Sequence, residues 1–424
     1  MSLVVLYDQG AVSPTDILRI GRARKIIVVL ASSAHAQRMR PLFTESCSAV
    51  YDLADEDLLT RLRECRPDGI VTFSEAMLAV TSRLSAALRL RYHDANVVEL
   101  LTSKDAQRRQ LRSGGVDQTR SVMMSSADQW DAAVASVGLP AVVKPVQGVS
   151  SRNTVLVHDI EAGRARLGPL LSSEGQVLVE EYLRGVDVPG PLGDYVSVET
   201  VVQNEERHHL PVTGKLLLAP PFRECGQFWP ARLDMATCDG VTELADRAVK
   251  TLGVSSGILH TEIKLTPAGP RIIEVNGRVG GYIPELVGRA APIDLVEIGA
   301  RIACGEQIAI PPIRLDRVLC QFNTPAPVRH GVVSAVCKGD VLTDVPGVVH
   351  YYSFAQSGME VGGIRTHELD LVAIETADHE SLVSVLNTIM DRITYRFEFD
   401  GEETVLSARE LVYHTPTEGE IRGW

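Results

Sequence analysis

The chain has 424 residues, 45% of them hydrophobic and 23% charged, with a formal net charge of −12. Two or three domains are expected at that length, and the acidic balance argues against nucleic acid as a main partner, because phosphate binding shows as a basic face. A small anionic ligand stays open, since it needs only a local pocket of cations and backbone N–H groups. Seven cysteines, an odd number with no CxxC pair, predict reduced thiols in a cytoplasmic protein. The opening MSLVVLYDQGAV has no basic region before its short apolar run, so no signal peptide is expected, and no window reaches the length of a membrane span.

The first hundred residues alternate buried-strand patterns with helical ones. LVVLY (3–7), KIIVVL (25–30) and GIVTF (69–73) are strand candidates, and 55–66 and 75–90 have helical periodicity. Such alternation predicts a parallel sheet covered by helices, an N-terminal α/β domain over 1–100. A helix is expected over Ser103–Ser113, stopped by Gly114-Gly115. Strands follow at 139–146 and 176–183, then a Gly/Pro-rich loop at 184–194. A hairpin of 195–203 and 209–218 comes next, turning at NEERH. Helices are expected at Gly240–Leu252, Pro284–Cys304 and 381–397, and a strand at 348–354. The fold class is therefore mixed α/β, with a central domain over 101–310 and a C-terminal α+β lobe over 311–424.

IIEVNGRVGG (272–281) carries the chemistry. Side chains alternate faces along a strand, so Glu274, Asn276 and Arg278 share one face, as do His260, Glu262 and Lys264 in HTEIKLT. A three-residue loop, Pro267–Ala268–Gly269, would join the two as a hairpin with Glu262 opposite Glu274 and Asn276 diagonal to Glu262. Opposed like charges destabilise a ladder. Two carboxylates and an amide oxygen are also the hard ligands that Mg²⁺ prefers, and bound Mg²⁺ would remove the repulsion. A solvated outer face is the alternative for two acids alone, but here they sit among Ile, Val and Leu. Upstream, Lys144 ends an apolar strand before QGVSSRNT (147–154), whose backbone N–H groups could hold phosphate oxygens. Lys104 near a helix start is a weaker signal.

Other motifs fail on context. GVSSG (253–257) has the G-x-S-x-G spacing of a hydrolase elbow, but a helix precedes it and a strand follows. His260-Thr261-Glu262 has half of a zinc deaminase pattern without its P-C-x-x-C partner. There is no Walker A sequence and no G-x-G-x-x-G.

In this order the pieces resemble the ATP-grasp superfamily over about 60–300, and within it the carboxylate–amine ligases of the L-amino acid ligase group. The resemblance implies a Rossmann-like pre-ATP-grasp domain, a two-lobed grasp domain with its lid at about 120–185, and a C-terminal lobe completing the grasp region. It implies phosphate contacts from Lys104, Lys144 and the loop residues Gly148, Ser150 and Ser151. Lys215 would lie near the nucleotide, and an adenine hinge would run Glu180, Glu181, Tyr182, Leu183, with Glu180 and Leu183 meeting the base through backbone groups. Mg²⁺, one ion or two with Mn²⁺ as a substitute, would be held by Glu262, Glu274 and Asn276. Arg278 would face the transferred phosphoryl group, with Gly280 and Gly281 beside the substrate. The family's ribose-binding acid is displaced here by a stretched segment, and both Asp187 and Asp194 remain candidates. Arg223 and Glu224, in PPFRECGQFWPARL, could hold a substrate carboxylate and ammonium, or belong to an ordinary surface loop.

The implied activity joins a carboxylate to an amine, with amino acids or peptides as substrates, through an acyl phosphate made from ATP. An ATP-grasp carboxylase or purine-pathway synthetase, and a non-catalytic ATP-binding module, are the competing readings. Neither nucleic acid nor membrane is an expected partner, and a homodimer is compatible with the pattern.

Overall fold

The computed structural model describes residues 1–148, 151–313 and 315–416. The N-terminal sheet is parallel, in the spatial order Ala49–Asp52, Lys25–Leu30, Ser2–Tyr7, Gly69–Thr72. Leu3, Val4 and Val5 are fully buried, as expected of strands covered on both faces. The helix Leu295–Ala303, far along the chain, joins this core, and Arg24 clamps it through two bonds to Glu297 of 2.7 and 2.8 Å.

A second, antiparallel sheet runs in the order Ser121–Met124, Val177–Glu181, Ala141–Pro145, Val155–Val157. The helices Trp130–Val137 and Ile160–Glu174 cover it, with Trp130 fully buried between them. The largest sheet has nine strands. From the edge it runs Gly269–Asn276, Ser256–Thr266, Leu192–Gln203, Thr213–Leu216, Gly226–Trp229, Val318–Phe322, Asp370–Thr376 and Val348–Ser353, and Glu206–His209 also pairs with Leu192–Gln203. Residues beyond 311 thus extend this sheet as well as forming a small sheet of their own around Thr394–Phe399.

Three expected elements differ, each for a local reason. The strand expected at 209–218 is two, Glu206–His209 and Thr213–Leu216, separated at Pro211, which has no N–H for the ladder. The helix expected at 284–304 is two, Ile283–Ala290 and Leu295–Ala303, parted by Pro292 and restarted by Asp294, whose carboxylate accepts from the N–H groups of Val296 and Glu297. The helix expected to reach residue 397 stops at Arg392. Its last residues enter the strand Thr394–Phe399, where Tyr395, Phe397 and Phe399 are buried and their neighbours exposed, a period of two.

Candidate active site

The hairpin forms, but its turn differs from the expected one. Thr266 pairs with Gly269, so the loop has two residues, Pro267 and Ala268, and Gly269 (φ 106°) opens the second strand. That register alone would place Glu262 opposite Ile273. A bulge intervenes: Ile263 pairs with Ile272 and Glu262 with Glu274, so Ile273 is the extra residue. Glu262 therefore does lie opposite Glu274, and His260 opposite Asn276.

Side chains more than 150 residues upstream hold the bulge. The strand Gly269–Asn276 is the sheet edge, with backbone groups unpaired on its outer side. Arg108, on the helix Lys104–Ser113, donates from Nη1 to the Ile272 carbonyl (2.7 Å) and from Nη2 to the Ile273 carbonyl (2.7 Å). Gln107 both donates to and accepts from the backbone of Val275 at 2.8 Å, and Asp117 accepts the Ile272 N–H at 3.0 Å. These side chains replace a missing neighbouring strand.

The polar face extends beyond the hairpin. Leu192–Gln203 pairs with Ser256–Thr266 so that Tyr195 lies beside Lys264, Ser197 beside Glu262 and Glu199 beside His260. Lys215 donates to Gln227 Oε1 (2.9 Å), and Gln227 Nε2 donates to Gln321 (3.0 Å) and to the Gly281 carbonyl (2.9 Å). His260 Nδ1 bonds Glu199, and its Nε2 lies 3.3 Å from Glu262. Burial opposes the imidazolium, but the charge and bond of Glu199 and the bond of Glu262 hold it up at about 9. Burial likewise opposes the Glu262 carboxylate, yet His260, with Lys215 and Arg278 behind it, keeps it at about 2. Gly280 donates its N–H to Glu199 (3.2 Å), and a Cβ there would lie 2.5 Å from His260 Nδ1, which is why the position is glycine. A Cβ at Gly281 would meet open space.

Both expected phosphate lysines reach this region. Lys104 Nζ bridges the Gly148 carbonyl (3.0 Å) and Glu274 (3.1 Å). Lys144 Nζ pairs with Glu180 at 2.6 Å, and Arg108 Nε pairs with the same carboxylate at 2.6 Å. Burial works against its charge, but these two cations hold Glu180 ionised, at about 2. The backbone of Glu180 lies within the ladder, opposite Ser121 and Val142, so its side chain is what positions Lys144 and Arg108. In the rest of the hinge Glu181 pairs with Arg120 (2.7 Å), the Tyr182 N–H donates to the Pro140 carbonyl (3.1 Å), and Leu183 is partly exposed. In the loop, Ser151 takes a left-handed φ of 53°; Ser150 lies outside the described residues.

Glu75 is a site residue that sequence reasoning missed. It follows the parallel strand Gly69–Thr72, where the carboxyl ends of strands gather ligand-binding groups, and lies 3.4 Å from Arg278 Nε. Its Oε2 is buried without a hydrogen bond, and burial pushes its carboxyl up although Arg278 pulls the other way. Glu199 was also missed.

The other candidates divide. Arg223 is 1% exposed, and its guanidinium is spent on the carbonyls of Pro220 and Ala326, so it braces its loop instead of facing the site as an open cation. Glu224 is partly exposed, its N–H donating to Thr366 Oγ1 (3.3 Å). Asp194 pairs with Lys264 at 2.5 Å beside Gly185, while Asp187 is exposed on the loop.

The donor set fits a hard divalent cation. Two carboxylates oppose each other directly, Asn276 is 2% exposed on their face, and the Ser197 hydroxyl is buried beside Glu262 without a partner among the described residues. Among the described residues no three His, Cys, Asp or Glu side chains cluster as metal ligands.

A family model described as the ATP-grasp domain matches residues 126–282. These residues form an ATP-grasp domain. The fold agrees: the crystal structure of L-amino acid ligase from Bacillus licheniformis superimposes with a TM-score of 0.76 at 18% identity, covering 93% of this chain and 98% of that one. Phosphoribosylglycinamide synthetase from Anaerococcus prevotii does so at 0.65 and 14%, with the same coverage of both chains. By sequence the chain is 25% identical over 271 residues to alanine–anticapsin ligase of Bacillus subtilis, covering 59% of this chain and 57% of that protein. It is 27% identical over 250 residues to dapdiamide A synthase of Enterobacter agglomerans, covering 55% of each. The matches thus span about three fifths of the length of the first curated relatives. Among the described residues no helix is long and apolar enough to cross a membrane.

Proposed function

We propose that the protein is an ATP-dependent carboxylate–amine ligase that forms an amide or peptide bond between amino acid or peptide substrates, through an acyl phosphate. What carries the reading is one polar face on which Glu262, Glu274, Asn276, Lys104 and Arg278 converge from separate segments, beside the Lys144–Glu180 pair of the second sheet. The names of the ligase relatives support it.

Mg²⁺ or Mn²⁺, held by Glu262, Glu274 and Asn276, would supply charge neutralisation at the terminal phosphates of ATP. Lys104 is poised to exchange Glu274 for a phosphate oxygen, and Lys144 is aimed by Glu180. Phosphoryl transfer to a substrate carboxylate needs mainly positioning and charge stabilisation, which these cations and Arg278 provide. An amine then attacks the acyl carbon, Arg278 stabilises the oxyanion, and phosphate leaves. Water must be kept from the site, because it would hydrolyse the acyl phosphate.

The test is release of ADP and phosphate from Mg–ATP with mixed amino acids. Glu274→Gln should abolish release, through loss of a metal ligand, while the melting temperature is retained. Retained turnover in that variant would remove the metal assignment. Release dependent on bicarbonate instead of an amine would point to carboxylase chemistry.

A further inference from the structure

A second constellation lies where the C-terminal lobe meets the site. Glu224 precedes the strand Gly226–Trp229, and its N–H bond to Thr366 sets its loop against the segment carrying Glu368. Glu368 accepts a hydrogen bond from Tyr282 (3.1 Å). Tyr282 stands four residues beyond Arg278, and its carbonyl and that of Gly281 are tied to Gln321 and Gln227 of the polar face. This constellation therefore adjoins the reacting end of the site.

The charge here is one-sided. Neither Glu224 nor Glu368 has a cationic partner among the described residues, whereas Glu262 and Glu274 have His260 and Lys104. Burial, with Glu224 and Asp370 beside it, pushes the Glu368 carboxyl up to about 7 against the Tyr282 bond. Asp370 is satisfied elsewhere, by Thr324 and Tyr395. An independent observation points to a ligand. Tyr195 is 3% exposed, its hydroxyl has no partner among the described residues, and burial together with the nearby Glu224 and Glu262 raises its pKa. A buried hydroxyl left unpaired is destabilising unless a ligand satisfies it.

We propose that Glu224 and Glu368, with the hydroxyls of Tyr282 and Tyr195, form a pocket for a cationic group of the substrate, an alkylammonium or guanidinium. Such a cation would sit between two carboxylates that otherwise repel, in charge-assisted hydrogen bonds. The word substrate rests on the ligase reading; the binding does not require turnover.

The test is calorimetric titration of the full chain with Mg–ADP at pH 8, using L-lysine and L-norleucine as probes. Glu368→Gln should weaken lysine binding by about tenfold or more, equivalent to ~1.4 kcal/mol, without lowering the melting temperature, and Glu224→Gln should do likewise. If lysine alone is weakened, the cation is a side chain; if norleucine is weakened equally, it is the α-ammonium. Binding of both probes unchanged in Glu368→Gln, or binding of neither by the parent protein, would overturn the pocket. Loss of binding in the variants of a protein that never releases ADP would overturn the ligase reading and leave the pocket standing.

Discussion

Replacing Arg108 by Met should damage stability and metal use together. The guanidinium makes four hydrogen bonds, two to Glu180 (2.6 and 3.4 Å) and one each to the carbonyls of Ile272 and Ile273 (2.7 Å). Its removal leaves a buried carboxylate with Lys144 as its remaining cation and two bulge carbonyls without donors. Breaking a buried ion pair from one side costs ~3–5 kcal/mol, and each stripped carbonyl adds ~1 kcal/mol or more. Lys144 stays on Glu180 and relieves part of this, so a net loss of ~3–5 kcal/mol is expected. Urea unfolding followed by the fluorescence of the buried Trp130 and Trp229 would measure it. The bulge is what sets Glu274 opposite Glu262, so the Mg²⁺ concentration for half-maximal ADP release should rise ~10- to 100-fold, as for other groups that orient metal ligands. Arg109→Met is the control: the Arg109 side chain is 67% exposed and pairs with Asp105, so less than ~0.5 kcal/mol is expected. A stability loss below ~1 kcal/mol with an unchanged Mg²⁺ requirement would show that the strand register does not depend on this clamp.

Glu368→Gln should alter the pH dependence of stability. The folded protein holds this carboxyl up at about 7 through burial and the nearby Glu224, so its contribution is full below ~4.5, where the unfolded group titrates, and is lost as pH rises through 7. The variant should therefore gain up to ~3 kcal/mol over the parent between pH 5 and pH 8; parallel urea-unfolding curves at the two pH values would contradict this. Gly280→Ala should cut ADP release by ~10²-fold, since the new Cβ falls 2.5 Å from His260 Nδ1 and shifts the group that orients Glu262. Gly281→Ala, with open space around its Cβ, should stay near parental activity, and equal activities in the two variants would refute the steric argument.

What could be read from the chain follows from how far apart the interacting residues are. The fold class and the hairpin were legible because period-two alternation is local: Glu274, Asn276 and Arg278, or His260, Glu262 and Lys264, declare a face within a few residues. The pairing of Glu262 with Glu274 was reached with the wrong turn. A three-residue loop has the same effect on register as a two-residue loop followed by one bulged residue, and the choice between them rests with Arg108, more than 160 residues away, which no periodicity reveals. Glu75 was hidden for a related reason, since an acid in a first helical turn is ordinary until Arg278 is seen beside it. Glu199 is different. In YVSVETV, Tyr195, Ser197 and Glu199 alternate with valines as plainly as the hairpin residues do, so the same reading extends the polar face to a third strand. The carboxylate that holds His260 was therefore within reach of the sequence, whereas the bulge that brings Glu274 to its partner required the folded chain.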